Sequence, residues 1–227
     1  IIMDKGEGII YALGSFFTEA GAQFVSDDGS KAEGYVNSDA SVKAAEYLNE
    51  FIKNGYANLD PVKDEFLNGK AATLLGGSWN IADLEKSNLN WGVSYFPVAD
   101  DGKAVSPTGD WAAAITKDSK NPDAAGKFLQ WAMNSDNIAS YASAVAKPAS
   151  RTSSYDKMEG WDSGARALMK WQLQNTGVSR PRTPSYSVLS TDFSTAMLNI
   201  FSGSDAKEEL DNVAKNFDEN YEMYYKK

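Results

Sequence analysis

Cysteine and histidine are both absent from the 227 residues of this chain. Without cysteine there are no disulfides and no thiolate metal sites. A cysteine-free chain fits an oxidising, extracytoplasmic location but does not require one. Without histidine, the commonest general base and the commonest zinc ligand are missing. Catalytic triads, zinc hydrolases and two-histidine iron sites are therefore excluded. Any enzymatic chemistry would fall to carboxylates, lysines or tyrosines. Basic residues are outnumbered, 22 Lys and Arg against 31 Asp and Glu, for a net charge of −9. That balance disfavours a nucleic-acid partner, which needs a basic footprint, and adhesion to anionic lipid. No apolar run reaches the ~18 residues of a membrane span. There is no signal peptide, and the first residue is Ile1 rather than Met, so the chain is expected to begin inside a longer parent.

What is present is ordinary for a globular protein: 42% hydrophobic and 23% charged residues. A chain of this length can bury roughly 70% of its unfolded surface. The organising stretch is Phe66 to Trp79, FLNGKAATLLGGSW. It reads as the end of a short helix, a turn at Asn68-Gly69 and an apolar strand from Ala71 to Leu75. Gly76 and Gly77 then allow a tight turn, and Ser78 is placed to cap an element beginning at Trp79. A flat aromatic at the carboxyl end of a strand lies where open α/β sheets bind ligands. Read alone, Trp79 is equally a core residue.

The rest of the chain alternates short strands with many helices. Ile1 to Met3 reads as a strand. Ile9, Leu13, Phe16, Phe17 and Ala20 have helical spacing. Asn37 or Ser38 caps a helix whose stripe is Val42, Ala45, Leu48, Phe51 and Ile52, with Gly55 after its end. Asp60-Pro61 opens the short helix that runs into the organising stretch. Ile81, Ala82 and Leu84 continue as a short helix. Asn90 to Val98 and Trp111 to Thr116 read as strands. Pro122 starts a helix with Ala125, Phe128, Leu129 and Ala132 as its buried stripe. Helices follow over 136–144, 163–174, 185–201 and 205–224. Trp131, Trp161 and Trp171 lie on helix stripes and read as packing, as do Phe217, Tyr221, Tyr224 and Tyr225. Arg180-Pro181-Arg182-Thr183-Pro184 cannot be regular structure.

In this order the segments resemble the C-terminal part of bacterial extracellular solute-binding proteins. The type is family 1, the maltose-binding-protein-like subunits of carbohydrate importers. Phe66-Leu67-Asn68-Gly69-Lys70-Ala71-Ala72 with Gly77-Ser78-Trp79 is similar to that family's F-x-x-G-x-A-A segment and its G-x-W. Trp91-Gly92-Val93 to Phe96-Pro97 is similar to its next strand. Gly109 to Lys117, then Ser119 to Ala125 and Phe128 to Trp131, is similar to its G-x-W…I-x-K-x-S-K-N-P-E-A-A…F-L-x-W run. Arg180-Pro181, Pro184 and Tyr186 are similar to its last crossover.

The resemblance implies an α/β, periplasmic-binding-protein-like (type II) fold, with a small central sheet surrounded by many helices. Residues 1–227 would form the C-terminal lobe, closed by helices over 180–227, with the N-terminal lobe largely absent. The implied function is a non-enzymatic substrate-binding component of an ABC importer. It would hold a sugar or oligosaccharide in an interlobe cleft and pass it to the permease subunits. The expectation is an extracytoplasmic monomer, either a cell-surface lipoprotein or periplasmic, with no cofactor, metal, nucleic acid or membrane span.

Sugars present hydroxyls and flat C–H faces, so their sites use aromatic platforms and planar hydrogen-bonding side chains. By resemblance, Trp79 is the stacking tryptophan. Trp111 lies at a crossover with Asp110 beside it as a hydroxyl acceptor. Tyr11 faces the ligand from the first helix, which Glu7 precedes. Arg182 and Tyr186 flank the last crossover. Two alternatives stand beside this reading. One is a carboxylate-based glycoside hydrolase, whose sites also combine acids and aromatics. The other is a binder of a non-sugar solute.

Overall fold

The Ser38 side chain accepts a hydrogen bond from the Ser41 backbone N–H at 3.3 Å, and this cap starts helix α2, Asp39–Lys53. Asp39 in its first turn and Lys53 in its last complement the helix dipole. Gly55, at φ +71°, follows its end in the left-handed conformation that glycine adopts without penalty. The computed structural model describes residues 7–57, 65–98 and 103–226. The expected strand Ile1–Met3 and the helix start at Asp60-Pro61 lie outside the described residues.

The chain packs as two units, each woven from separated stretches. Unit 1 is Ile1–Leu75, Phe96–Thr108 and Gly177–Lys227, and unit 2 is Gly76–Tyr95 and Gly109–Thr176. In unit 1, α1 (Glu7–Glu19) and α2 pack with the two closing helices α7 (Tyr186–Phe201) and α8 (Ala206–Tyr224). Each contributes apolar residues at helical spacing: Ile9, Leu13 and Phe17; Ala44, Ala45 and Leu48; Leu189, Phe193, Met197 and Ile200; Leu210, Val213, Ala214 and Phe217. Phe17, Phe24 and Phe193 form a ring cluster with centroids 5.0–5.8 Å apart. Asp205 caps α8 by accepting from the Glu208 N–H at 2.9 Å.

Unit 1 also holds the described paired strands. β1 (Ser106–Thr108) and β2 (Gly177–Ser179) pair in parallel, with Ser106 opposite Gly177 and Thr108 opposite Ser179. This small sheet amid helices matches the expected fold class, but its strands are not the expected ones. Ala71–Leu75, Asn90–Val98 and Trp111–Thr116 have no strand pairing among the described residues. The physical reason is that periodicity marks a segment able to pair, while pairing needs a partner brought from elsewhere. Ala71-Ala72 and Ala112-Ala113-Ala114 also have little intrinsic strand preference.

Unit 2 contains α3 (Ile81–Lys86), α4 (Pro122–Ala132), α5 (Ser135–Ala144) and α6 (Gly164–Asn175), with 3-10 turns at Ser78–Asn80 and Thr152–Lys157. Its buried cluster joins Ile138, Ala139 and Ala142 of α5 to Ala149, Tyr155, Met158 and Trp161. Arg166 binds Glu85 through both guanidinium Nη atoms, Nη2 at 2.9 Å from Oε2, which ties α6 to α3. The expected stripe of α4 is amphipathic but not buried: none of its residues is, and Phe128 and Trp131 pack their rings against each other, tilted by 36°, in the open. The unit's buried cluster forms around α5 and the segment after it, and α4 stands outside that cluster. Trp161 is core, as expected, although it precedes α6 rather than lying on a helix, whereas Trp171 is exposed and packs on Tyr95. In unit 1, Phe217 is fully buried with Tyr221 stacked on it, whereas Tyr224 and Tyr225 are exposed.

Candidate functional site

Gly77 is extended (φ −133°, ψ −174°), and the 3-10 turn Ser78–Asn80 follows it. The Gly77 N–H donates to Asn80 Oδ1 at 3.0 Å, and the Asn80 N–H donates to the Gly77 carbonyl at 3.0 Å. The expected cap is thus displaced by one residue. Gly77 occupies the cap position, and Ser78 is the buried first residue of the turn. This reciprocal closure holds Trp79 at the turn's centre, its ring folded against Gly77 and 54% exposed.

Elsewhere in unit 2, Asp110 and Trp111 form a second group. Trp111 is 91% exposed. Its backbone N–H donates to Asp110 Oδ1 at 2.8 Å, and Lys147 Nζ donates to the same oxygen at 2.8 Å. Burial alone would raise the Asp110 pKa. The Lys147 ammonium and the Trp111 N–H outweigh it and hold the carboxyl below its usual value. The group offers a flat apolar face, a firmly ionised carboxylate and an ammonium.

In unit 1, Tyr11 and Arg182 line one cavity of about 430 Å³, within the size range of small-molecule sites. α1 forms one wall through Ile10, Tyr11 and Ser15, and the Gln23–Asp27 loop a second. β1, β2 and Arg180-Pro181-Arg182 complete it. The Tyr11 hydroxyl donates to the Pro107 carbonyl at 3.3 Å, and the Arg180 guanidinium lies over the Tyr11 ring, 5.2 Å from its centroid. Tyr186, by contrast, does not line this cavity and packs against the helical core. Glu7 is the first residue of α1, and its side chain lies outside the described residues.

Two polar residues join these groups that sequence reading did not select. Arg180 lies in the stretch already recognised as irregular, beside the chosen Arg182, and nothing in the local pattern ranks one arginine above the other. Lys147 was not selected either. Its link to Asp110, 37 positions earlier, has no local signal.

The family model described as bacterial extracellular solute-binding protein matches residues 3–168. The chain belongs to this family. A maltodextrin-binding protein, MdxE, of Bacillus subtilis (strain 168) is 24% identical over 191 residues, covering 80% of this chain and 45% of the relative. A galactooligosaccharide-binding protein of the same organism is 24% identical over 191 residues, covering 79% and 45%. Among solved structures, an ABC transporter solute-binding protein from Thermotoga lettingae, bound with α-D-tagatose, superposes with a TM-score of 0.78. The identity there is 21%, over 95% of this chain and 57% of that one. The fold of this family member is therefore that of a solute-binding protein. The chain spans about half the length of the curated relatives it matches.

Proposed function

We propose that this chain is part of the saccharide-binding component of an ABC importer, which captures a sugar or oligosaccharide and delivers it to membrane permease subunits without chemical conversion. The observation that carries this reading is the exposure of Trp79 and Trp111, the latter next to the Asp110 carboxylate and its Lys147 partner, in a chain that buries Trp161 completely. An indole left in water costs hydrophobic stabilisation. A sugar ring face recovers it, while neighbouring acceptors and donors take the hydroxyls. The relatives' names agree: their stated ligands are maltodextrin, galactooligosaccharide and α-D-tagatose.

The parent works outside the cytoplasm, anchored by lipid or in a periplasm, and acts as a monomer. Residues 1–227 supply its C-terminal lobe, closed by the helices over 180–227. Tyr11, Arg182 and the cavity they line contribute ligand contacts in unit 1, and Glu7 and Tyr186 flank them. Calorimetric titration with maltose, maltotetraose, galactooligosaccharides, amino acids and inorganic anions tests the reading. Saturable heat with a saccharide and none with the other solutes is expected. Saturable heat only with an amino acid or anion overturns it. Turnover of a chromogenic glycoside that is lost in Asp110→Asn would contradict the absence of catalysis.

A further inference from the structure

Lys147 reaches Asp110 from an unusual piece of backbone. α5 ends at its cap residue Val145, and the next residue, Ala146, has φ +52°. Among the described residues it is the one non-glycine with positive φ. The Ala146 N–H donates to the Ser143 carbonyl at 3.3 Å, and the Lys147 N–H donates to the Ala142 carbonyl at 2.9 Å. This is the Schellman closure of a helix, with alanine in the left-handed position where glycine is usual. Strain of this kind persists where surrounding contacts over-determine it, and it concentrates at working sites. Pro148 follows at once, so the chain cannot continue as helix. The turn directs the Lys147 stem inward, its side chain only 24% exposed, and its ammonium onto Asp110.

Both donors to Asp110 converge on one oxygen. Lys147 Nζ and the Trp111 N–H each bind Oδ1 at 2.8 Å. The Asp110 side chain is 48% exposed, and Oδ2 retains its acceptor capacity. A half-exposed carboxylate gripped on one oxygen, next in sequence to an open indole, suits a sugar well. In such a pose the ring face would lie on Trp111 while a hydroxyl donated to Oδ2.

Resting on the saccharide-binding reading, we propose that Lys147 is a positioning residue. It fixes the Asp110 carboxylate beside the Trp111 face, so that Asp110 and Trp111 act as one saccharide subsite in unit 2. Lys147 is the charged group that faces Asp110 among the described residues, and it keeps the carboxylate ionised into acid. Removing it leaves burial opposed only by the Trp111 N–H, and the Asp110 pKa rises. Acid loss of binding then begins at a higher pH.

The test is calorimetry of the protein with maltotetraose and with galactooligosaccharides from pH 4 to 8, using wild type, Lys147→Met, Lys147→Arg and Asp110→Asn. Lys147→Met is expected to weaken binding about fivefold, the scale of one polar contact, and to move the acid limb of the profile upward. Lys147→Arg restores most of the affinity. In the Asp110→Asn background, Lys147→Met has no further effect, because the residue acts through that carboxylate. A merely structural lysine would lower thermal stability without moving the acid limb. If wild type binds a saccharide and Lys147→Met matches it in affinity and pH profile, the inference is overturned alone. If wild type binds no saccharide, the functional reading falls and this inference falls with it.

Discussion

The indole of Trp79 lies directly against Gly77: a Cβ at residue 77 would come within 2.6 Å of the ring's Cε3, and closer still to Cζ3 and Cη2. Gly77 itself is extended, a conformation open to any residue. Glycine is needed there because of the ring, not because of the backbone.

Gly77→Ala therefore tests whether the pose of Trp79 matters. Alanine fits the backbone, so the ring must leave its place. Saccharide affinity is expected to fall about tenfold, which is about 1.4 kcal/mol, with a change in tryptophan emission and little change in melting temperature. Unchanged affinity with a changed emission spectrum would separate the ring's pose from binding.

Gly29 is constrained differently. It has φ +71°, and a Cβ there would collide with the Arg182 carbonyl oxygen and lie 3.2 Å from its carbonyl carbon. Gly29→Ala adds backbone strain to a clash with rigid main chain. A loss of about 1–3 kcal/mol in unfolding free energy is expected in denaturant titration. Because Arg182 lines the unit 1 cavity, ligand affinity should fall in the same variant.

Ala146 offers the reverse substitution. Glycine accepts the left-handed conformation that alanine occupies at φ +52°. Ala146→Gly is expected to stabilise the protein by up to about 1 kcal/mol, the scale of the left-handed penalty for an L-residue less glycine's extra chain entropy. Thermal unfolding measures it. A fall in stability would show that the turn is not strained.

How much of this was legible in the sequence depended on range. Ser38, Asp205 and Pro122 mark helix starts because a cap acts within three or four residues of itself. The stripes of α1 and α2 named Ile9, Leu13, Phe17, Ala45 and Leu48 as buried for the same reason. The strands were not legible, because β1 and β2 are three residues each and pair across 71 positions of chain. Phe128 and Trp131 show amphipathy without showing what covers them. Of the candidate site residues, Trp79, Trp111 and Asp110 of unit 2 and Tyr11 of unit 1 stood out by residue type and by family resemblance. Lys147 did not, because its role depends on an alanine adopting a conformation that alanine does not advertise.

Asp28 carries a prediction about pH. Its Oδ1 accepts from the Ser26 hydroxyl at 2.6 Å, the Ser30 hydroxyl at 2.7 Å and the Ser30 N–H at 3.0 Å. These bonds, that of Ser26 first, lower its pKa from 3.8 to about 2. A depressed carboxyl contributes stability that is fully present above the unfolded value and is lost as pH falls through the folded one. The window is therefore from about pH 4 down to about pH 2. Carboxyl NMR titration should place the Asp28 midpoint at about 2, and Ser26→Ala should raise it. A midpoint at 3.8 in the wild type would mean that the turn does not hold in solution.

The central claim is that Trp79 is a platform for a saccharide. Calorimetric titration of wild type, Trp79→Phe and Trp79→Ala with maltotetraose and with galactooligosaccharides tests it most directly. The account predicts saturable binding by wild type, partial retention in Trp79→Phe, and a loss of at least about tenfold, or about 1.4 kcal/mol, in Trp79→Ala with folding intact by circular dichroism. Wild-type affinity in Trp79→Ala would contradict it.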